Sequence, residues 1–313
     1  RIEKGEQVTL DGNILYRFAF LHAVAVAAGR AKLEEDTPPL EESSTKIIPP
    51  SREEALQQGR LILVAEDNEI NQKVIRQQLA LLGHVADVVQ DGRDALQHWE
   101  RGDYAMILTD LHMPEMDGYQ LTQAIRGAKV GPIHIPVIAL TANALKGEAD
   151  RCRAIGMDDY LSKPVQLEQL KKVLQKWLPK PSGALEAPEQ EYSQRIEQST
   201  TPVDIKVLQA LVGDDPVIIQ EFLADFERSS LIISDQLHAA HQLHQLDQVK
   251  AAAHKLKSSA RSVGAQSLGE WCEKIERAAK EQDAPKVESL IPHFDAELLA
   301  VKRYLETTNS SSS

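Results

Sequence analysis

Short aliphatic runs alternate with amphipathic segments between residues 61 and 178. The runs are LILVA, HVADVV, YAMILTD, PVIALTA and DDYLSKP, and each precedes a segment with apolar residues at three- and four-residue steps. Aliphatic strands that alternate with helices are typical of a parallel sheet covered on both faces. The pattern therefore predicts five strand–helix pairs in an α/β domain, with functional groups at the carboxyl ends of the strands.

Residues 202–308 show helical periodicity without strand patterns. Apolar positions recur every three or four residues in the segments 204–211, 215–242, 245–263, 266–282 and 285–306. Long amphipathic helices with short connections favour an antiparallel bundle. We therefore expect an all-α domain after the α/β domain.

Two polar, proline-bearing segments, at residues 34–54 and 179–202, divide the chain. The first thirty residues have the pattern of a strand, a turn at Asp11–Asn13 and a helix that ends at Gly29. We expect a strand–helix remnant at residues 1–33, a linker at 34–59 and an α/β domain at 60–180. A second linker at 181–201, a helical domain at 202–308 and a tail at 309–313 follow.

Composition and charge exclude several classes of function. The 313 residues are 42% hydrophobic and 26% charged, as in soluble globular proteins, and the net charge of -12 disfavours binding to nucleic acid or anionic membranes. Cys152 and Cys272 are too far apart in sequence to indicate a disulfide framework or a zinc site. The most apolar run, Ile14–Gly29, is interrupted by Arg17 and His22 and is too short to span a membrane. Because the chain begins with arginine, we expect a cytoplasmic fragment of a longer protein, whose missing part could be anchored in the inner membrane.

Two adjacent acids, Glu66 and Asp67, follow the first predicted strand. Asp110 ends the run YAMILTD, Thr141 follows PVIAL, and Lys163 follows DDYLS, so all five residues are expected at one edge of the sheet. Two like charges about 4 Å apart repel by roughly 4 kcal/mol near a protein surface, so a cation is expected there. Carboxylate oxygens suit Mg²⁺. Acids, metal, hydroxyl and lysine together indicate phosphoryl-transfer chemistry.

The motifs EDN, DLHMPEMDG, ALTA and GMDDYLSKP occur in the order and at the spacing of the response regulator receiver domain, which residues 60–180 resemble. The resemblance implies a flavodoxin-like, doubly wound sheet of five parallel strands and a phosphoryl acceptor at Asp110. It also implies a Mg²⁺ or Mn²⁺ site formed by Glu66, Asp67, Asp110 and the main-chain carbonyl of His112.

Other positions match the same family. By this resemblance, Thr141 and Lys163 contact the phosphoryl oxygens, and Tyr160, three positions before the lysine, is the aromatic switch residue. The bond between Lys163 and Pro164 is expected to be cis, as it often is in the family. Each residue alone has an ordinary structural interpretation, as a helix cap or a solvated charge. Five such residues at four strand ends favour the functional interpretation.

The segment KAAAHKLKSSARSVGA places a histidine on a polar helix face. On a helix, one face is shared by Lys250, Ala251, His254, Lys257, Ser258 and Arg261. His254 is therefore expected to point outward, among cations, where small neighbours would let another protein approach it. A neutral imidazole can act as a nucleophile toward phosphorus, and a nearby ammonium can stabilise the phosphoryl group.

Residues 202–308 resemble the histidine phosphotransfer (Hpt) domain, a four-helix bundle whose motif combines a histidine with small residues and a lysine. The resemblance implies that His254 is a phosphoryl acceptor and that Lys257 contacts the phosphoryl group. Ser258 stands where the family often has glycine, and Glu276 stands where it often has glutamine. A carboxylate there could anchor His254 but would repel phosphate.

Side by side, the two domains resemble the carboxy-terminal part of a hybrid sensor histidine kinase of a two-component system. The resemblance implies a phosphorelay in which Asp110 is phosphorylated by a kinase histidine outside this fragment and His254 then passes the group to a downstream response regulator. The sequence has no glycine-rich ATP loop, so we do not expect the fragment to use ATP. Residues 8–30 resemble the end of a degenerate receiver, with an ordinary linker helix as the alternative.

Alternative functions remain open at this point. The acidic pocket also suits a metal-dependent phosphatase of small substrates, which would turn over free phosphate esters. A binding scaffold that has lost phosphorylation is disfavoured by the presence of Asp110, Thr141, Lys163 and His254. A metal site in the helix is disfavoured by the three-residue steps between His238, His241 and His244. The sequence does not reveal whether the aspartate and the histidine meet within one chain or between chains.

Overall fold

The computed structural model of this chain describes residues 2–4, 7–9, 49–128, 134–142, 146–178 and 201–310. The chain divides into two compact units, residues 1–46 and 47–313. In the first unit, strands β1 (Ile2–Lys4) and β2 (Gln7–Thr9) pair antiparallel. The sequence predicts one strand in this region, whereas the structure has two strands paired as a hairpin. The predicted turn at Asp11–Asn13 and the helix that ends at Gly29 lie outside the described residues.

The second unit begins with a short helix, α1 (Arg52–Gln57), and contains one parallel sheet. Its strands are β3 (Ile62–Ala65), β4 (Ala86–Val89), β5 (Met106–Asp110), β6 (Val137–Thr141) and β7 (Asp159–Ser162). They are ordered β4-β3-β5-β6-β7, so the chain reverses direction across the sheet at β3. The carboxyl ends of β3 and β5 therefore form the crevice at which ligands bind in such sheets.

Helices cover both faces of this sheet. They are α2 (Glu69–Leu81), α3 (Gly92–Trp99), α4 (Gly118–Gly127), α5 (Lys146–Ile155) and α6 (Leu167–Trp177). Alternate strand residues point to opposite faces, so Leu63 and Ile107 pack with α3, α4 and α5, whereas Val64 and Leu108 pack with α2 and α6. The predicted five-stranded, doubly wound α/β fold is confirmed.

The remaining described residues form the predicted helical domain. Its helices are α7 (Ile205–Val212), α8 (Pro216–Gln242), α9 (Leu246–Ser262), α10 (Gln266–Lys280) and α11 (Ala284–Ser310). Large side chains such as Phe226, Leu256 and Phe294 are fully buried in its core. Within the residues that the structure describes, no helix has both the length and the apolarity needed to cross a bilayer.

Helix α2 has two buried faces. Ile75 and Leu79 pack against the sheet, while Ile70 and Val74 belong to the hydrophobic core of the helical bundle. This second apolar contact makes the sheet and the bundle parts of one compact unit. The packing brings the carboxyl ends of the strands next to helix α9.

Candidate functional site

The two acids Glu66 and Asp67 lie between the end of β3 and the start of α2. Asn68 fixes this turn, because its side chain accepts hydrogen bonds from the main-chain N–H groups of Ile70 and Asn71, at 3.0 and 3.2 Å. Glu66 is buried and Asp67 is partly buried. The helix cap therefore holds two carboxylates at the edge of the sheet.

Asp110 is the last residue of β5 and is buried. The main-chain N–H of His112 donates to Asp110 Oδ1, at 3.3 Å. A Cβ atom at Gly118, the first residue of α4, would lie 2.2 Å from the Asp110 carbonyl oxygen. The glycine of the DLHMPEMDG motif thus lets the start of α4 pass directly against the main chain of the aspartate.

Lys163 joins the two sides of the acidic pocket. Its Nζ lies 2.6 Å from Glu66 Oε2 and 2.7 Å from Asp110 Oδ2, and its side chain is only 10% exposed. Burial lowers the pKa of Lys163, but the charges of Asp110 and Glu66 outweigh burial and raise it above its ordinary value. The lysine therefore stays charged, and the bond between Lys163 and Pro164 is cis, as predicted.

One carboxylate oxygen from each of Glu66, Asp67 and Asp110 lies within 4.8 Å of the other two. Burial raises the pKa of Glu66, and Lys163 offsets only part of that shift. Burial, and then the charge of Asp110, also raises the pKa of Asp67. Three crowded oxygen ligands fit a divalent cation, which would relieve their repulsion.

Two more predicted residues lie near this pocket. Thr141 ends β6 and is buried, and its main-chain oxygen accepts a hydrogen bond from the N–H of Lys163, at 2.7 Å. Tyr160 is on β7, partly buried against the cluster that contains Met157 and Cys152. The structure thus brings Thr141 to the same sheet edge as the acids, while Tyr160 packs in the α5 side of the core.

His254 lies in the middle of α9 and pairs with Glu276 of α10. Its Nδ1 is 2.8 Å from Glu276 Oε1, and Lys257 Nζ is 2.5 Å from Glu276 Oε2. Burial alone would raise the pKa of Glu276, but the bonds and charges of His254 and Lys257 lower it to about 2. An ionised carboxylate only accepts hydrogen bonds, so Nδ1 carries a hydrogen and the lone pair of neutral imidazole is on Nε2.

The histidine face of the bundle is defined by His254, Lys257, Ser258 and Arg261. The sequence predicts that this face is open to solvent, but in the structure it is covered. The His254 side chain is only 17% exposed, and Lys257 and Ser258 are buried. The α/β domain of the same chain covers this face, and the ring centroids of His112 and His254 are 5.4 Å apart. A domain of the same chain therefore covers the face that the sequence analysis expects another protein to approach.

Asparagine side chains join the two domains beside the acidic pocket. Asn68 Nδ2 donates to the Lys255 carbonyl, at 2.8 Å. Asn71 Nδ2 donates to Ser258 Oγ and Glu66 Oε1, at 2.7 and 3.0 Å, and its Oδ1 accepts from Ser262 Oγ, at 3.1 Å. Buried polar side chains that satisfy each other in this way fix the position of α9 over the pocket.

The rim of the contact carries charge. Lys73 Nζ is 3.0 Å from Glu221 Oε1 and also contacts Asp225 of α8.

A small cavity of about 10 Å³ lies between the domains and is lined by Ala142, Lys163, Pro164, Lys257, Ser258 and Arg261. Cations of both domains therefore meet next to the acidic pocket.

Sequence reasoning missed Asn68, Asn71 and Lys73 as contact residues. The available signal was Asn71, a polar residue on the otherwise apolar stripe of α2 that includes Ile70 and Val74. A buried asparagine requires hydrogen-bond partners, so its position on that stripe indicates a polar contact with another element.

Comparisons with known proteins agree with the geometry of both domains. Residues 62–175 match the family described as the response regulator receiver domain, and residues 220–304 match the Hpt domain. The virulence sensor protein BvgS of Bordetella pertussis is 29% identical over 276 residues, which are 84% of this chain and 22% of that protein. The sensor histidine kinase RcsC of Escherichia coli is 45% identical over 114 residues, which are 36% of this chain and 12% of that protein.

Among solved structures, the chain is similar to the receiver domain of a sensor histidine kinase from Pseudomonas aeruginosa, crystallised with a magnesium ion in its active site cleft. The two are 44% identical, the match covers 38% of this chain and 97% of that one, and the TM-score is 0.35. This chain spans about a fifth of the length of BvgS. It contains a response regulator receiver domain followed by an Hpt domain.

Proposed function

We propose that Asp110 and His254 are successive phosphoryl acceptors within one chain. The observation that carries this proposal is the docking of α9 on the acidic pocket. His254 is held beside His112, two residues from Asp110, by the contacts of Asn68 and Asn71. Holding two reacting groups in one orientation replaces a bimolecular encounter with an internal step.

In the first step, a carboxylate oxygen of Asp110 attacks phosphorus. The bond between phosphorus and its donor breaks, an acyl phosphate forms, and the donor takes the electron pair. Lys163 and Thr141 lie at the same sheet edge and contact the phosphoryl oxygens. Mg²⁺ held by Glu66, Asp67, Asp110 and the main-chain carbonyl of His112 would neutralise charge on these oxygens.

In the second step, Nε2 of His254 attacks the phosphorus of the acyl phosphate. A bond between nitrogen and phosphorus forms, the bond between phosphorus and oxygen breaks, and Asp110 regains its carboxylate. The ring keeps the Nδ1 hydrogen and becomes positively charged. Glu276 accepts that hydrogen bond, so its negative charge stabilises the developing cation, while Lys257 offers its ammonium group to the phosphoryl oxygens.

The matched domains support a proposal about the parent protein and its partners. We infer that the phosphoryl donor is a histidine of a kinase core, in the parent chain or a partner, and that a downstream response regulator accepts the group from His254. The relatives BvgS and RcsC support this inference by their names as sensor proteins. The domain limits at residues 60–180 and 202–308, the switch role of Tyr160 and a cytoplasmic location stay predictions.

Labelled acetyl phosphate with Mg²⁺ tests the proposal. Label is expected first on Asp110 and then on His254. Asp110→Asn should remove both labels, whereas His254→Gln should keep only the first. Label on His254 in the Asp110→Asn chain would contradict the order. Steady turnover of free phosphate esters would instead favour a metal-dependent phosphatase.

A further inference from the structure

The chain's own receiver occupies the surface that a downstream receiver would need. His254 is 17% exposed, and Lys257 and Ser258 beside it are buried under the receiver. An aspartate on any second receiver has to reach the same imidazole in line, so it has to dock on the same face. The two receivers therefore exclude each other.

Some contacts that hold the docked receiver lie in the acidic pocket, and others lie at the rim, away from the reacting groups. Asn71 touches Glu66 and so belongs to the acidic pocket. Lys73 lies two residues further along α2 and pairs with Glu221 and Asp225, which belong to α8 rather than to α9. The Lys73 side chain is 42% exposed, so this ion pair lies at the rim of the contact. Rim charges affect the choice of partner and the rate of association more than they affect affinity.

We propose that Lys73 is a specificity-determining residue that selects which receiver occupies the histidine face. The acidic pair Glu221 and Asp225 fits a receiver that carries a cation at the position of Lys73, on the helix after its own two acids. The chain's own receiver meets this requirement and competes as a tethered ligand. The inference rests on the proposed transfer between Asp110 and His254.

Two variants of the 313-residue chain separate docking within a chain from docking between chains. A donor chain carries His254→Gln, and an acceptor chain carries Asp110→Asn. After loading with labelled acetyl phosphate and Mg²⁺, label reaches His254 only by transfer from the donor to the acceptor. The acceptor's own receiver is still present as a competitor. The initial rate of labelling at His254 is the measurement.

Lys73→Glu in the acceptor should raise this rate. The substitution repels the acceptor's own receiver from Glu221 and Asp225, while the donor's lysine still pairs with them. We expect an increase on the order of tenfold, and a smaller increase of roughly threefold for Lys73→Ala, which removes attraction without adding repulsion.

Two controls reverse charge at other positions. Glu221→Lys combined with Asp225→Lys in the acceptor releases its own receiver but also repels the donor's Lys73, so the rate should not rise. Arg76→Glu changes an exposed residue of the same helix, for which no ion pair is seen in the described part of the chain. It should change the rate by less than about twofold.

Three results would overturn the inference. The first is an unchanged or lower rate with both Lys73→Glu and Lys73→Ala in the acceptor. The second is an equal rise with the double variant at Glu221 and Asp225, because an incoming receiver would then not use the acidic pair. The third is the absence of label on His254 in every acceptor while Asp110 of the donor is labelled. That result would show that a second receiver cannot replace the chain's own, whereas absence of label on His254 in the wild-type chain would refute the relay itself.

Discussion

Glu276 offers a sharp test, because its carboxylate connects the stability of the bundle to the chemistry of His254. Two partners, His254 and Lys257, lower the pKa of Glu276 from its ordinary value of 4.5 to about 2. At about 1.4 kcal/mol per pKa unit, this shift corresponds to roughly 3 kcal/mol of folding free energy near neutral pH. The side chain is 21% exposed, and solvent screening reduces the expected value to about 2 kcal/mol.

The sign of the pH dependence follows from the direction of the shift. The folded state lowers the pKa of this carboxyl, so its contribution is present above about pH 4.5 and is lost as the pH falls toward about 2. Glu276→Gln should therefore lower the free energy of unfolding by about 2 kcal/mol near pH 7, and by less than half of that near pH 3.

Urea unfolding of both proteins at the two pH values measures this difference. Glu273→Gln is the matched control, because Glu273 is on the same helix, is more exposed, and pairs with Arg261 at 2.9 Å. It should cost less than about 1 kcal/mol. The rate of transfer from Asp110 to His254 should also fall about tenfold in Glu276→Gln. A hydrogen bond to a neutral amide stabilises the charged ring by roughly 1.4 kcal/mol less than a hydrogen bond to a carboxylate does. A stability difference that stays constant or grows as the pH falls would refute this reasoning.

Three further predictions concern the acidic pocket and the histidine face. Asn71→Ala removes the two hydrogen bonds that Asn71 makes with Ser258 and Ser262 of α9 and should weaken docking by about 2 kcal/mol, so quenched-flow labelling should show transfer to His254 at least about tenfold slower while Asp110 is still labelled. Gly118→Ala should reduce both labelling of Asp110 and stability to urea, by about 1–3 kcal/mol, because its Cβ would lie 2.2 Å from the Asp110 carbonyl oxygen. Chelation of Mg²⁺ should abolish labelling of Asp110, and Asp67→Asn should raise the Mg²⁺ concentration needed by at least about tenfold in a titration. Normal transfer in Asn71→Ala, normal labelling in Gly118→Ala, or labelling in chelator would contradict the respective expectation.

The sequence was sufficient to predict the fold because strands and helices are local patterns. The five aliphatic runs became β3 to β7, and topology alone placed Glu66, Asp67, Asp110 and Lys163 at one edge. Any parallel, doubly wound sheet gathers the ends of its strands in this way. The acidic pocket could therefore be predicted without knowledge of side-chain packing.

The packing of the receiver on the histidine face could not be predicted in the same way. Periodicity shows that Ile70 and Val74 are apolar, but it does not show whether they pack on their own sheet or on another domain. That packing partly buries His254, and so the expectation that its imidazole is open to solvent was wrong. The contact of Glu276 with both His254 and Lys257 also depends on how α9 and α10 are aligned, which the sequence pattern does not determine.

Dilution of the wild-type chain tests most directly whether Asp110 and His254 react within one chain. The protein is loaded with labelled acetyl phosphate and Mg²⁺ at concentrations that span a roughly 100-fold range. The fraction of bound label on His254 is then measured at a fixed time. Internal transfer predicts the same fraction at every concentration. A fraction that falls in proportion to protein concentration would show that the two residues meet only between chains, and it would contradict this account.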